Sequence, residues 1–466
     1  NDWGGVSPVT PDHVNPEAPW PHLMALTATT AAAGRVLTER LAVGPAYAKE
    51  PDRWLEPEVA LKVRRAVDAR GLPIVERWRA GAGEAPPVLP QAGRTLMGGR
   101  IEEIITKAGE RLDESEIVTL FQAAGPDAGR VMEAADALRR EAVGDAVTYV
   151  INRNINYTNI CSYRCGFCAF SKGTAKALRG PAYKLDLEEV ARRAAEAQAR
   201  GATEVCLQGG IHPDYDGHTY LSIVQAVRDA APGIHVHAFS PLEIAHGAST
   251  LGMELEPYLA MLKEAGLSTL PGTAAEVLHE EVRAIICPGK VSTDEWVAVM
   301  RAAHRVGLKS TATIMFGHVD DYRHWARHLS VVRSLQEETG GFTEFVPLPF
   351  VHMEAPIWRK GKARSGPSFR EALLMQAVAR IALHGAIPNI QASWVKLGEQ
   401  GVIAALSAGV NDLGGVLMDE SITRAAGGAH GQFFDVDRMH RTAEAAGRLA
   451  RQRTTLYGSV EREVAA

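Results

Sequence analysis

The stretch Asn159-Ile-Cys161-Ser-Tyr-Arg-Cys165-Gly-Phe167-Cys168-Ala-Phe-Ser171 brings three of the chain's five cysteines together, directly after a strand-like segment. Their spacing is Cys-x3-Cys-x2-Cys. A cluster of four irons and four sulfides normally takes four thiolates, so a group of three leaves one iron open to a small molecule. The spacing therefore predicts that Cys161, Cys165 and Cys168 hold an iron–sulfur cluster that takes part in chemistry.

From about residue 147 the chain repeats a short β-branched or apolar run, a loop and an amphipathic helix. Strands that alternate with helices indicate a parallel sheet, and eight of them are compatible with closure into a barrel. The predicted strands are Val147–Asn152, Glu204–Gln208, His235–Phe239, Ser268–Leu270, Ser310–Phe316, Phe342–Val346, Asn389–Ser393 and a last one leading to Asn411. The predicted fold is an α/β protein with a (β/α)8 barrel of the TIM type.

Polar and small residues follow most of these strands, where the catalytic face of such a barrel lies. The segments are the cysteine loop, Gln208-Gly-Gly210, Ser240-Pro-Leu-Glu243, Gly272-Thr273, Gly317-His318, Pro347-Leu-Pro349, Ser393-Trp394 and Asn411-Asp412-Leu-Gly-Gly415. We expect them to converge on one mouth. Simpler interpretations remain open: Gly209 and Gly210 as a plain turn, Glu243 as a carboxylate at a helix start, and His318 as a core histidine. Trp394 is predicted to be a core residue.

Clustered thiolates also bind structural zinc, usually as two separated pairs or together with histidine. The remaining cysteines, Cys206 and Cys287, lie far apart in the sequence and do not form a second pair. A disulfide framework is also disfavoured, because such frameworks belong to small, cysteine-rich secreted chains. An iron–sulfur cluster is therefore favoured over zinc.

Three further segments precede the barrel. Residues 99–146 are predicted to form a helical extension, with a helix start at Leu112-Asp113-x-x-Glu116, and the Gly/Ala/Pro-rich residues 80–98 are predicted to be a linker. An internal echo marks residues 1–79: Asn1-Asp-Trp-Gly-Gly-Val6 recurs as Asn411-Asp-Leu-Gly-Gly-Val416, and Ala32-Ala-Gly-Arg35 recurs as Ala445-Ala-Gly-Arg448. We expect residues 1–79 to be the C-terminal remnant of a preceding homologous module, and residues 147–466 to be the barrel with its C-terminal helices.

Composition narrows the class of protein. The chain has 466 residues, of which 46% are hydrophobic and 23% charged, and its net charge is −5. That charge gives no indication of a nucleic-acid surface, and no apolar run approaches the roughly 18 residues of a membrane helix. We expect a cytoplasmic protein, because an oxygen-sensitive cluster needs a reducing compartment.

The cysteine spacing, with Phe167 before the last cysteine, resembles the signature of radical S-adenosylmethionine (SAM) enzymes. This resemblance implies that the open iron binds SAM and that the reduced cluster cleaves it to a 5′-deoxyadenosyl radical, while the protein supplies geometry and excludes water. It also implies that the cofactor contacts are Phe167, Gln208, Gly209, Gly210, Ser240 and Glu243.

Longer motifs resemble the second module of bifunctional deazaflavin (FO) synthases. They are Asn154-Ile-Asn-Tyr-Thr-Asn-Ile-Cys161, His237-Ala-Phe-Ser-Pro-x-Glu243, Gly414-Gly-x-x-Met418-Asp-Glu420-Ser and Ala429-His-Gly-Gln432, while Asp2-Trp-Gly-Gly-Val-Ser-Pro8 resembles the end of the first module. The resemblance implies transfer of the 4-hydroxybenzyl group of L-tyrosine to 5-amino-6-(D-ribitylamino)uracil, with release of 2-iminoacetate, methionine and 5′-deoxyadenosine.

The same resemblance implies two partners and a set of substrate residues. The partners are a low-potential electron donor and the missing N-terminal radical SAM module, which would close the deazaflavin ring. The candidate substrate residues are Tyr157, Asn159, His318, His352, Asn411 and Asp412.

Two alternatives stay open. An aminofutalosine synthase or futalosine cyclase of menaquinone biosynthesis shares the barrel and the cysteine triad, although the tandem echo and His430-Gly-Gln432 favour deazaflavin synthesis. A noncatalytic iron–sulfur electron carrier or a zinc-stabilised scaffold would not cleave SAM.

Overall fold

The computed structural model describes residues 2–6, 13–14, 16–17, 22–88, 99–173 and 181–460. Helices precede the first strand, as predicted for residues 99–146. They are α1 (Leu23–Ala32), α2 (Pro45–Lys49), α3 (Pro51–Trp54), α4 (Pro57–Ala66), α5 (Gly99–Thr106), α6 (Glu114–Gln122) and α7 (Pro126–Val143). In the described part of the chain, none of the helices combines the length and the apolar character needed to span a membrane.

Two parallel sheets follow. Strands β2 to β7 form a sheet in sequence order, and the second sheet has the order β8-β1-β9. The strands are β1 (Val147–Val150), β2 (Asn152–Asn156), β3 (Glu204–Gln208), β4 (His235–Ala238), β5 (Thr269–Leu270), β6 (Lys309–Phe316), β7 (Phe342–Pro349), β8 (Asp412–Gly415) and β9 (Ala450–Gln452).

Single bridges join these sheets into a ring. β1 pairs with β8, and β2 continues from β1 to pair with β3. The remaining links are the parallel bridges Phe345–Ile390, Gln391–Asp412 and Arg153–Met418. The predicted parallel α/β barrel is therefore confirmed.

Three predicted strands differ in detail. The first is interrupted at Ile151, between β1 and β2. The segment Asn389–Ser393 makes only the bridges of Ile390 and Gln391. The last strand begins at Asp412 instead of ending at Asn411, because the preceding helix extends to Leu406 and leaves only a short turn before the strand.

Helices cover the outside of the ring. They are α8 (Leu187–Ala199), α9 (Gly217–Ala230), α10 (Pro241–Thr250), α11 (Leu255–Ala265), α12 (Glu280–Ile286), α13 (Thr293–Arg305), α14 (Tyr322–Thr339), α15 (Pro356–Arg359), α16 (Phe369–Leu383), α17 (Trp394–Leu406), α18 (Ile422–Ala425) and α19 (Val436–Ala445). Asp113 and Ser292 begin α6 and α13 with reciprocal capping boxes, as their spacing predicts. Asp186 caps α8 by accepting the Glu189 amide only.

The predicted linker is wrong at its N-terminal end. Trp78 is fully buried against Phe369, and Ala80 is buried as well. The Gly81 amide donates to the Lys396 carbonyl at 2.7 Å, and the Gly81 carbonyl accepts from the Ala429 amide at 2.8 Å. A Cβ at Gly81 would lie 2.9 Å from Val351, so the small residues here allow close docking on the barrel instead of providing flexibility. Residues 89–98 of the predicted linker lie outside the described residues.

A buried charged network lies at the amino-terminal ends of the strands. The Arg453 guanidinium binds Asp412 through Nε at 2.5 Å and through Nη2 at 2.9 Å, and its Nη2 also lies 3.4 Å from Glu344. The Tyr457 hydroxyl donates to Glu344 at 2.5 Å. Burial raises the pKa of Glu344 to about 7; the Arg453 charge opposes this rise and the Asp412 charge adds to it.

This pKa predicts a pH-dependent stability. The pKa of Glu344 is higher in the folded chain than its usual value near 4.5, so its contribution is fully present below that value and is lost as the pH rises through about 7. We expect the free energy of unfolding to fall by up to about 3 kcal/mol from about pH 5 to about pH 8. Anaerobic urea titrations of the wild type and of Glu344→Gln at several pH values measure this change. If the free energy of unfolding of the variant fell with pH as steeply as that of the wild type, the prediction would be contradicted.

Candidate active site

A cavity of about 250 Å³ lies at the carboxyl ends of the strands. All nine residues predicted to bind metal or cofactor line it: Cys161, Cys165, Phe167, Cys168, Gln208, Gly209, Gly210, Ser240 and Glu243. They come from the loops after β2, β3 and β4, whose ends share one edge of the sheet. The structure therefore brings the predicted metal and cofactor residues together.

The cysteine loop is held by hydrogen bonds to three neighbouring segments. The Gly166 amide donates to the Ile286 carbonyl at 2.6 Å, and the Gly166 carbonyl accepts from the Ile357 amide at 2.7 Å. The Ser162 amide donates to the Ile211 carbonyl at 2.8 Å. These backbone hydrogen bonds fix the loop at both of its turns, so the three thiols are held toward the same cavity.

The sulfur environment fits an iron–sulfur cluster. Backbone amides donate to two of the sulfurs at 3.4 Å, from Ile211 to Cys161 and from Ser171 to Cys168, and such hydrogen bonds tune cluster potentials. All three thiols line one cavity, so they border the space that a cluster would occupy.

Burial keeps the Cys165 and Cys168 thiols protonated when no metal is bound. It raises the pKa of Cys165 to about 12 and also raises the pKa of Cys168. Ligation requires the thiolate, so metal binding must release these protons.

Gly209 and Gly210 are required by protein packing. A Cβ on Gly209 would lie 2.2 Å from the Tyr157 ring, and a Cβ on Gly210 would lie 2.2 Å from the Ile160 carbonyl and 2.8 Å from the Cys161 Cβ. The end of β3 thus lies directly on the cysteine loop. Gly209 and Gly210 can therefore form a turn and also contact a cofactor. The close packing that leaves no room for a side chain also places their backbone in the cavity wall.

Glu243 fastens this turn to α10. One carboxylate oxygen accepts the Gly209 amide at 3.1 Å and the Tyr157 hydroxyl, and the other accepts the Ser240 amide at 2.7 Å and hydroxyl at 2.5 Å. Burial raises the pKa of Glu243, while the bonds from Ser240 and Tyr157 oppose that rise. Both oxygens are engaged within the protein, so Glu243 acts as a support for the glycine turn.

The six predicted substrate residues occupy other positions, and the described lining of the cavity contains none of them. Tyr157 is buried behind the wall and donates to Glu243. Asn159 connects the start of the cysteine loop to the segment at residues 181–183. Its side chain accepts a hydrogen bond from the Tyr183 amide at 2.8 Å and donates one to the Pro181 carbonyl at 3.1 Å. His352 packs against the Trp358 ring at 4.6 Å. These three side chains support the site from outside the cavity.

His318 faces a second, larger cavity of about 790 Å³, which also touches Arg164 and Gly166 of the cysteine loop. Its side chain is fully buried, with Nε2 at 3.0 Å from the Met315 carbonyl and Nδ1 at 2.7 Å from the Val319 amide. The core-histidine interpretation of His318 therefore holds. His318 follows the carboxyl end of β6, as predicted, but its predicted contact with the cluster cavity is wrong.

Asn411 and Asp412 lie at the opposite end of the barrel, so their predicted placement is also wrong. The Asn411 Oδ1 accepts from Arg380 at 2.8 Å and from the Ile390 amide at 2.9 Å. Asp412 belongs to the network of Arg453. Because the last strand starts at Asp412, its side chain lies near the first residues of the neighbouring strands.

Several other residues line the cavity although the sequence did not predict them there. Among them are Asn156, Glu276, Lys290, Met315 and Lys396. Met315 alternates with buried neighbours along β6, and Glu276 follows the predicted Gly272-Thr273 segment, so both carry a weak signal of position. Lys396 likewise follows the predicted Ser393-Trp394 segment, whereas Lys290 lies in a turn after α12, away from any strand end. Trp394, predicted as core, is buried and donates to the Gly415 carbonyl at 2.9 Å.

Comparison with known proteins agrees with this geometry. The profile of the Radical SAM superfamily matches residues 155–332, and that of the CofH/MqnC C-terminal region matches residues 339–465. The 5-amino-6-(D-ribitylamino)uracil–L-tyrosine 4-hydroxyphenyl transferase of Methanocaldococcus jannaschii is 49% identical over 330 residues, which cover 70% of this chain and 91% of that protein. The chain belongs to the radical SAM superfamily.

Longer relatives place it further within this superfamily. The FO synthase of Nocardia farcinica is 44% identical over 519 residues, which cover 100% of this chain and 60% of that protein. The chain thus spans about three fifths of the length of this relative. The resemblance to FO synthases and to the 4-hydroxyphenyl transferase is confirmed.

Two solved structures share the fold. Methylornithine synthase has a TM-score of 0.59 at 20% identity, covering 75% of this chain and 97% of that one. The hydrogenase maturase HydG of Carboxydothermus hydrogenoformans has a TM-score of 0.57 at 16% identity, covering 77% and 80%. Radical SAM enzymes use a 4Fe–4S cluster and SAM, and the donor set around Cys161, Cys165 and Cys168 fits that cluster.

The support that Glu243 gives to the glycine turn yields a prediction. In Glu243→Gln an amide NH2 group replaces one of the two carboxylate oxygens. This NH2 group faces two hydrogen-bond donors and cannot accept from either, so we expect the glycine turn to be held less firmly. Hydrogen bonds to charged groups are worth about 1.5–3 kcal/mol, so we expect the KM for SAM to rise about 10–100-fold. The measurement is 5′-deoxyadenosine formation against SAM concentration under anaerobic conditions. Glu256→Gln, on the exposed side of α11, is the control, and an unchanged KM in Glu243→Gln would contradict the supporting role.

Proposed function

We propose that this chain transfers the 4-hydroxybenzyl group of L-tyrosine to 5-amino-6-(D-ribitylamino)uracil, the second-module reaction of FO synthases. The observation that carries the proposal is the relative from M. jannaschii, which bears the name of this transferase and matches along 91% of its length at 49% identity. The menaquinone alternatives are not favoured, because relatives that match 100% and 98% of this chain are FO synthases.

The chain's own residues provide three conditions for this reaction. Cys161, Cys165 and Cys168 hold the cluster, and the backbone at Gly209 and Gly210 forms the adjoining wall. The apolar side chains of Met315, Leu348, Phe350 and Ile422 line another part of the cavity, where they favour the exclusion of water. When bound, the reduced cluster and SAM supply a 5′-deoxyadenosyl radical.

The test is product analysis after anaerobic reconstitution with iron and sulfide. Dithionite, SAM, tyrosine and the diaminouracil are expected to give 5′-deoxyadenosine and a tyrosine-derived adduct of the uracil, identified by mass. A futalosine-type substrate tests the sister activity in parallel. Retention of zinc in place of iron, or turnover of the futalosine-type substrate alone, would overturn the proposal.

We also propose that residues 1–79 correspond to the C-terminal end of a preceding homologous module. The sequence echo is matched by an echo of hydrogen bonds. The Gly4 amide donates to Asp2 at 2.8 Å with a φ of 72°, and the Gly414 amide donates to Asp412 at 2.7 Å with a φ of 70°.

The echo continues further along the chain, at an offset of 413 residues instead of 410. Arg40 Nε binds Asp2 at 2.5 Å, as Arg453 Nε binds Asp412 at 2.5 Å. After α1 and α19, Gly34 and Gly447 have φ angles of 70° and 71°, and their amides donate to the carbonyl three residues earlier at 2.9 Å and 2.8 Å. Two segments with the same turns and the same ion pair support a common origin.

This proposal assigns the closure of the deazaflavin ring to the other module. The chain alone is expected to accumulate the adduct of tyrosine and the uracil, and deazaflavin fluorescence is expected only after a first-module protein is added. Fluorescence from this chain alone would contradict the division of labour. We further propose a low-potential electron donor as a partner and the cytoplasm as the location, since both suit a reducible cluster.

A further inference from the structure

A buried ion pair lies in the wall of the cluster cavity. Lys290 and Glu276 both line the cavity, with Nζ and Oε1 2.5 Å apart. Their side chains are only 8% and 11% exposed. Lys290 Nζ also lies 5.5 Å from the centre of the Phe167 ring, inside the cysteine loop. A positive charge is thus held beside the thiols that bind the cluster.

The fold holds both partners firmly. The buried Arg283 guanidinium donates to the carbonyls of Ala275 at 2.5 Å and Ala274 at 3.3 Å, and to the carbonyl of Val291. One side chain therefore joins the loop that carries Glu276 to the segment that carries Lys290. The clamp keeps the distance between the two loops fixed.

The backbone around Glu276 is strained. Ala274 and Glu276 have φ angles of 65° and 45°, a left-handed conformation that side chains other than glycine adopt at a cost. Such outliers persist where the surroundings impose them and cluster at functional sites. The Glu276 carbonyl accepts the Met315 amide at 2.8 Å, which anchors this turn on β6.

Lys290 and Cys165 line the same cavity, so the ammonium acts through its charge on the space that the cluster would occupy. Burial alone would lower the pKa of Lys290, but the charges of nearby groups, Glu276 foremost, together outweigh that effect and raise it, so the side chain keeps its charge. A buried ion pair need not stabilise the fold, because removing both charges from water costs about as much as their attraction returns. The position of Lys290 and Glu276 in the cluster cavity therefore needs another explanation.

We propose that the Lys290 ammonium stabilises the reduced state of the cluster that Cys161, Cys165 and Cys168 would hold. In this proposal Glu276 is the positioning residue, because it holds Lys290 in place. The inference rests on the proposed function, because it requires the cluster. One electron from a low-potential donor adds one negative charge to the cluster, and no proton or bond changes in this step. A fixed ammonium beside Cys165 favours the more negative state, so it shifts the reduction potential upward.

The test is a potentiometric titration of the reconstituted protein, followed by EPR, without tyrosine or the uracil. In Lys290→Gln the ammonium is lost and Glu276 remains, so we expect the equilibrium constant for reduction to fall about tenfold, equal to about 59 mV for a one-electron couple. Lys290→Arg keeps the charge and is expected to stay near the wild type. The double variant Lys290→Gln/Glu276→Gln, which lacks both charges, is expected to lie between Lys290→Gln and the wild type.

The outcomes are separable. Lys62→Gln, on the exposed surface of α4, controls for loss of a charge elsewhere. A wild-type potential in Lys290→Gln with full iron content would overturn the inference. Loss of the cluster in Lys290→Gln would also contradict the inference, because it would assign Lys290 to retention of the cluster and not to its reduction potential. Failure of the wild type to form the adduct would count against the proposed function alone, because the potential is measured without the substrates.

Discussion

Replacing Cys161, Cys165 or Cys168 with serine is expected to abolish cluster binding and SAM cleavage. Each thiol lines the same cavity, and a cluster with three protein ligands has no spare thiolate. Changes outside the ligand sphere of a metal already cost about 10–100-fold in affinity or activity, so loss of a ligand should exceed about a hundredfold. The measurements are iron per chain after anaerobic reconstitution and the rate of 5′-deoxyadenosine formation.

Cys206→Ala is the matched control. Cys206 lies on β3 outside the described lining of the cavity, so this variant should bind iron and cleave SAM as the wild type does. A serine variant of the triad that kept both its iron and its activity would show that the cluster is held elsewhere. Equal loss of iron in Cys206→Ala would instead indicate a general failure to fold.

The cluster and cofactor residues could be predicted because they follow strands closely. The loops after β2, β3 and β4 begin within a few residues of a buried strand end, and parallel strands place those ends at one edge. Nothing beyond strand position and residue chemistry was needed to bring Cys161, Gly209 and Glu243 into one cavity.

The same reasoning failed for the last strand because its start was predicted as its end. The run that leads to Asn411 reads as a strand, but in the structure it is the turn after α17, and β8 begins at Asp412. That error moved Asn411 and Asp412 from one end of the barrel to the other. Side-chain period and composition do not fix where a short strand begins and ends, so an error of a few residues in its boundary moves a side chain to the other end of the barrel.

Lys290 was missed for a different reason. It stands in a turn after α12, and its partner Glu276 lies on another loop; only the Arg283 clamp brings the two together. A tertiary contact of this kind leaves no periodic signal. The docking of Gly81 was missed similarly, because small residues that permit close approach have the same composition as a flexible linker.

Arg453→Met is expected to destabilise the chain strongly. Arg453 is 3% exposed and binds Asp412 through two nitrogens, so its removal leaves a buried carboxylate without its main countercharge. Breaking a buried pair by removing one partner costs about 3–5 kcal/mol. Anaerobic urea unfolding of the wild type and the variant measures the change in the free energy of unfolding.

The echo in residues 1–79 provides the matched control. Arg40 binds Asp2 at the same 2.5 Å, but these side chains are 34% and 54% exposed. Because exposed ion pairs are screened by water, Arg40→Met should leave the unfolding transition of the barrel nearly unchanged. The double variant Arg453→Met/Asp412→Asn removes the unpaired charge and should recover part of the loss. Equal effects of Arg40→Met and Arg453→Met would contradict the view that burial, and not the geometry of the pair, sets its weight in the fold.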